Sequence, residues 1–276
     1  NESNPFVRMQ INKSPEEANM IQSYIVDAFT PMAFGGNPAA VCLLENEITE
    51  EQMQLIAAEF NLSETAFLFQ IEDNSWSLRW FTPICEVNLC GHATLAAAHV
   101  LLNESKVRLD LLRFQTHSGE LTARKTESVI ELDFPLTPTS QINQTDFFHS
   151  VDQNFVSLHQ AGEDLLLELA TENQVKNYQP DLSAIKQLDC RGLIITAPGN
   201  SYDCHFVSRF FAPRFGIDED PVTGSAHCAL IEKKKKKTGR DHFIAKQVSK
   251  RGGTLDIQLK GNRVALRGNS VTTANV

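Results

Sequence analysis

Apolar and polar residues alternate along much of this chain in short runs broken by glycine, proline and asparagine, the period-two pattern of half-buried strands. "SYIVDAF" (23–29) and "AAVCLL" (39–44) read as strands joined through "FGGNP", a stretch suited to tight reversal. Period 3.6 replaces period two in only a few places. Thr49 and Gln52 form a capping box, Met53, Ile56, Ala57 and Phe60 supply a helical face behind it, and Asn61 ends the helix in a left-handed conformation. Strands follow at "TAFLFQI" (65–71) and "SWSLRWF" (75–81), then a helix from about Gly91 to Leu102. "VRLDLLRF", "ELTARK" and "SVIELDF" read as further strands. Pro135 and Pro138 punctuate "FPLTPTSQINQT", where a domain boundary is expected. Beyond it come "DLLLELA", a short helix near 182–188, "GLIIT", "YDCHFVSRFF", a helix from Gly224, and strands around 243–249, 253–259 and 262–267.

One part of the pattern occurs twice. "RWFTPICEVNLCGHATLAAA" starts at Arg79 and "RFFAPRFGIDEDPVTGSAHCAL" at Arg209. The Arg-aromatic-Phe-x-Pro anchors align, and so, after three extra residues in the second copy, do Gly91 with Gly224, Ala93 with Ala226 and Ala96 with Ala229. Each copy is a strand, a loop and a glycine-started helix rich in small residues, which predicts a duplicated domain. A helix of this kind suits burial inside a curled sheet. The expected division is residues 1–19 as a leader outside the fold, 20–135 as the first domain and 136–276 as the second, the last strands crossing back to the first.

Composition removes several classes of function. With 42% hydrophobic residues the chain is an ordinary globular protein, and its net charge of -9 argues against binding nucleic acid, which is neutralised by Lys and Arg. No apolar run approaches the roughly 20 residues of a membrane span, and residues 1–19 have no apolar signal core. The six cysteines lie scattered in apolar stretches, so reduced thiols in a cytoplasm are expected rather than a disulfide framework. Cys85, Cys90 and His92 lack the further Cys or His that would complete a zinc set, so no metal is expected. "TGSAH" is not a nucleophile elbow, and neither a GxGxxG nor a P-loop is present, so no nucleotide cofactor is called for. Lys233 to Lys237 read as a solvated helix end, with a nuclear signal or an anion patch as the alternatives.

The candidate chemistry gathers at the duplicated helix mouths. A helix N-terminus offers N–H groups and the positive end of the peptide dipole, so even an acidic protein can bind a carboxylate there. Gly91 and Gly224 permit close approach, His92 and Ser225 stand at matching positions as donors, and the two mouths are expected to face one cleft. For either helix alone, Thr223 and Ser225 as plain N-caps and His92 as a packed histidine remain competing readings. Glu64, in "FNLSETAFLF", is either a desolvated general acid/base or a salt-bridged turn residue. Asp220, held extended by Pro221, is expected to aim at the same cleft, and Asp27 is expected as a buried structural hydrogen-bonder.

"DAFTPMAFGGNPAAV", "NLSETAF", "RWFTPICEVNLCGHATLAAA", "FFAPRFGIDEDPVTGSAH" and "SKRGG" together resemble the phenazine-biosynthesis F-type (PhzF-like) family, relatives of diaminopimelate epimerase. The resemblance implies an α+β fold of two pseudo-symmetric domains, each a curled, mostly antiparallel sheet around a central helix. It implies a cofactor-free isomerase, commonly a homodimer, acting on a small anionic substrate. Glu64 falls on the family's acid/base glutamate, and His92, Asp220 and Ser225 fall on positions lining its substrate site, beside Gly91, Thr223 and Gly224. The epimerase relatives use two cysteines; Cys90 occupies the first of these places, while Thr223, a poor base, occupies the second. One glutamate moving a proton within the substrate is therefore the expected activity. An epimerase dependent on Cys90, or a ligand-binding protein without catalysis, are the alternatives.

Overall fold

The period-two runs form strands throughout the computed structural model, which describes residues 9–10, 20–105, 107–126, 129–142, 155–200 and 203–276. The chain divides into two units. The first takes in the described residues up to Phe34, then Pro38–Ile130 and Asn269–Val276; the second takes in Gly35–Asn37 and Glu131–Gly268. Most of the expected leader, and residues 143–154 after the expected boundary, lie outside the described residues. Met9–Gln10 pairs with Met20 and Ile21, ahead of the stretch of that strand used by its other neighbour.

In the first unit β1 (Met20–Ala28), β2 (Asn37–Leu44, from Pro38 onward), α1 (Glu50–Phe60), β3 (Glu64–Glu72), β4 (Ser75–Phe81), α2 (Gly91–His99), β5 (Leu112–Thr116) and β6 (Gly119–Lys125) follow in order. The capping box of Thr49 and Gln52 opens α1, and Asn61 closes it with φ 50°. β2 runs parallel to β3, β3 antiparallel to β4, β4 parallel to β5, and β5 antiparallel to β6. α2 packs against β1, β3 and β6, and all nine of its residues are buried, as its alanines allow. Within it Thr94 Oγ1 donates to the Cys90 carbonyl, and His99 contacts Asn103 and the remote Thr272 through its two ring nitrogens.

The second unit repeats this order of pairings. It contains β7 (Ile130–Pro135, from Glu131 onward), β8 (Thr139–Gln141), β9 (Phe155–Ala161), β10 (Asp164–Leu169), α3 (Glu172–Asn177), α4 (Leu182–Gln187), β11 (Leu193–Pro198), β12 (Phe206–Ala212), β13 (Ile217–Asp220), α5 (Gly224–Thr238), β14 (His242–Gln247), β15 (Gly253–Lys260) and β16 (Arg263–Gly268). β10 runs parallel to β11, β11 antiparallel to β12, β12 parallel to β14, and β14 antiparallel to β15. The parallel–antiparallel alternation matches strand for strand, so the sequence echo marks a real structural repeat. The fold is α+β, as expected.

Several expectations change in detail. β17 (Ser270–Asn275), which pairs with β1, lies beyond the strands that the sequence pattern predicts, although the last strands were expected to cross back to the first domain; β8, β9, β13 and α3 were not expected either. The strand expected from Val107 begins only at Leu112, because the Val107 N–H closes a turn onto the Leu101 carbonyl behind α2. The lysine run is not wholly a solvated helix end. Lys233 and Lys234 are buried, at 7% and 5% exposure, against the carboxylate of Glu168, with Lys237 reaching the same group from the surface. The helix turns its Lys233–Lys234 face inward over β9 and β10, so an acid placed inside decides where those ammonium groups go.

Candidate active site

Glu64 is the first residue of β3, and the strand that follows is buried on both faces, with Thr65, Ala66, Phe67 and Leu68 all nearly inaccessible. That placement withdraws the carboxylate from solvent, leaving it 8% exposed and ruling out an exposed turn. Its Oε2 lies 3.2 Å from Nε2 of His92, the second residue of α2. The other ring nitrogen, Nδ1, lies 3.5 Å from Cys90 Sγ. Cys90 is the N-cap of α2 in extended conformation, with its sulfur directed to the imidazole and not back onto the helix. The sequence thus sets carboxylate, imidazole and thiol in a row at the mouth of the helix that starts with Gly91.

Two influences act on His92 and oppose each other. The nearby carboxylate favours imidazolium, while burial favours the neutral ring. Burial prevails and lowers the imidazole to about 3, so the ring is neutral across the physiological range. A neutral ring has one N–H and one lone pair, and each faces a different partner.

The matching region of the second unit is built differently. Asp220 ends β13 and is buried, with Oδ1 accepting from Asn37 Nδ2 at 2.6 Å and Oδ2 from Thr223 Oγ1 at 2.5 Å. Burial raises its carboxyl to about 6 against those hydrogen bonds. Gln247 ties the group together, its amide donating to the Asp220 carbonyl and to Thr223 Oγ1 while its carbonyl accepts from the Thr223 N–H. Thr223 therefore spends its hydroxyl on Asp220 and makes no side-chain cap on α5. Ser225 Oγ accepts from Arg191, which grips Asp164 with the same guanidinium. His227, one turn on, donates from Nδ1 to the Thr223 carbonyl at 2.7 Å; burial lowers this ring to about 4.

The structure therefore brings Glu64, Cys90, Gly91 and His92 together in the first unit, and Asp220, Thr223, Gly224 and Ser225 together in the second. Asp27 is buried and accepts from the Phe34 N–H, as a structural residue would. Cys85, weighed above beside Cys90 and His92, turns instead toward Thr82. Sequence reasoning missed Asn37, Gln247 and Arg191, which order the second cluster from distant parts of the chain. It also missed that the repeated arginines carry repeated partners. Arg79 grips Glu86 through Nε and Nη2 at 2.7 and 2.6 Å, and Arg209 grips Glu219 in the same way at 2.6 and 2.9 Å. Glu86 and Glu219 share the register of the two glycines, so the alignment of the two copies held that signal.

Comparison with known proteins agrees with this description. The family model described as phenazine biosynthesis-like protein matches residues 26–275. An uncharacterised isomerase of Halalkalibacterium halodurans is 45% identical over 90% of this chain and 95% of its own length. A second uncharacterised isomerase, from Pseudomonas aeruginosa, is 43% identical over 92% of this chain and 97% of its own. The crystal structure of a PhzF-family phenazine biosynthesis protein of Enterococcus faecalis superposes with a TM-score of 0.86 at 44% identity, covering 92% of this chain and 97% of that one.

Proposed function

Since this chain belongs to the phenazine biosynthesis-like family and is an isomerase, we propose that Glu64 is the group that moves the proton, within a small substrate bearing a carboxylate. The observation that carries this reading is the buried Glu64 carboxylate 3.2 Å from a histidine held neutral at the mouth of α2. A carboxylate in that place can take a proton from a carbon beside an unsaturated or carboxyl-bearing group and return it to another carbon on the same face. The N–H groups opening α2 suit the substrate's own negative charge and the charge that develops as the proton leaves.

His92 serves as the hydrogen-bonding partner of Glu64. While Glu64 is ionised, the ring proton sits on Nε2 facing it, and Nδ1 accepts from the Cys90 thiol. When Glu64 holds the substrate proton, the other carboxyl oxygen can still accept from Nε2–H, so the ring holds the acid in place without giving up its own proton. The reaction needs no cofactor in this scheme, and the partner it calls for is a small anion.

Cys90 supports a second reading, an epimerase in which the thiol is itself a base, because its sulfur is in contact with the same imidazole. Against it, the matching residue of the second unit is Thr223, whose hydroxyl is engaged by Asp220. Incubation with a bacterial metabolite extract in heavy water, read by mass spectrometry, separates the two. Deuterium gain that survives in Cys90→Ala and disappears in Glu64→Gln is the expected result. The reverse pattern assigns the chemistry to the thiol.

A further inference from the structure

Glu64, Cys90 and His92 offer one carboxylate oxygen, one sulfur and one imidazole nitrogen, all within 4.8 Å of one another and all buried. We propose that this trio is a binding site for a soft divalent metal ion, Zn2+ above all, and that such an ion shuts the isomerase off by occupying its acid/base group. The inhibitory half rests on the role given above to Glu64; the binding half does not.

The donor set is selective. Thiolate, imidazole and one carboxylate suit Zn2+ and Co2+, whereas Mg2+ and Ca2+ require shells made largely of oxygen. Bonds of about 2.0–2.3 Å in a tetrahedron separate neighbouring ligand atoms by roughly 3.3–3.7 Å. The 3.5 Å between Cys90 Sγ and His92 Nδ1 already has that length. The imidazole now shows Nδ1 to the sulfur and Nε2 to the carboxylate, and one ion takes only one of these nitrogens. Rotation about the Glu64 side-chain torsions brings its oxygen round to the Nδ1 side, closing a gap of up to about 1 Å from the present spread.

Charge favours the ion. Thiolate and carboxylate together cancel the two positive charges, so the buried complex is neutral, and the proton displaced from the thiol leaves to solvent. The α2 terminus opposes a cation, with about half a positive charge against two full negative ones. Three protein ligands leave a fourth position open to water or a substrate carboxylate, so inhibition comes from coordination of the Glu64 carboxylate, which can then no longer take a proton.

The test is titration of the chelator-treated, reduced full chain with Co2+, followed by absorption. One ion per chain is expected, with a sulfur-to-cobalt charge-transfer band, the strong visible bands of a four-coordinate ion, and displacement by Zn2+ but not Mg2+. Cys90→Ser should lose the charge-transfer band and Glu64→Gln should weaken binding by more than about tenfold, while Cys85→Ala binds as the parent does. No charge-transfer band in the parent, or one that persists in Cys90→Ser, overturns the site. Deuterium exchange is measured in parallel. Exchange that persists with one Zn2+ bound per chain refutes inhibition at this site and counts against Glu64 as proton carrier, while the cobalt spectrum still decides the binding.

Discussion

Glu64 Oε2 stands 3.2 Å from His92 Nε2, a carboxylate at a strand start meeting an imidazole at a helix start. Both side chains are withdrawn from water, so the contact is little screened and each group feels the charge or dipole of the other. His92→Phe removes that contact and should slow deuterium exchange by roughly 100-fold or more. His92→Gln keeps an amide that can donate or accept and should lose less. Equal loss in the two variants, measured as exchange rates on one responsive metabolite, contradicts a hydrogen-bonding role.

Asp220 should leave a signature in stability against pH. Its carboxyl is raised in the folded chain from an ordinary 3.8 to about 6, chiefly by burial. A raised folded value means the contribution is fully present below the unfolded pKa and is lost as pH rises through the folded one. The stability of the parent relative to Asp220→Asn should therefore fall by up to about 3 kcal/mol between pH of about 3.5 and about 7. Urea unfolding at several pH values measures it, and a difference flat with pH refutes it.

Glu168 is expected to be a hinge of stability in the second unit. Burial alone would raise its carboxyl, but Lys234 and Lys233 overcome this and hold it at about 2. Glu168→Ala strands two buried ammonium groups and should cost roughly 3–5 kcal/mol. Lys234→Met added to that variant should recover part of the loss, read by denaturant unfolding.

The repeated arginines should differ in worth despite their matching forks. Arg209 also donates to the carbonyls of Val175 and Tyr178, whereas the second partner of Arg79 is Glu50, whose side chain is 69% exposed. Arg209→Lys should therefore destabilise by about 1–3 kcal/mol and Arg79→Lys by less. Equal losses contradict the assignment of the extra stability to the two carbonyls.

Legibility from sequence followed the strength of local signals. The repeat was visible because its anchors, Arg-aromatic-Phe-x-Pro and a helix-starting glycine, are uncommon in combination, and the fold keeps both. Thr49 with Gln52 and Asn61 bounded α1 because caps act within a few residues. β17 escaped notice because "SVTTAN" has no apolar alternation, although its β-branched residues favour a strand. The Lys233–Lys234 burial was illegible because the acid that compels it, Glu168, is remote in sequence. Asn37 and Gln247 were missed for the same reason: each reaches Asp220 and its neighbours from another part of the chain.

Proton transfer by Glu64 is tested most directly by Glu64→Gln, with ligand affinity and deuterium exchange measured on the same responsive metabolite in heavy water. The amide keeps the size of the side chain and removes its basicity, so binding should remain within about tenfold of the parent while exchange falls by at least about 100-fold. Exchange at the parent rate in a variant that binds normally would contradict the role of Glu64.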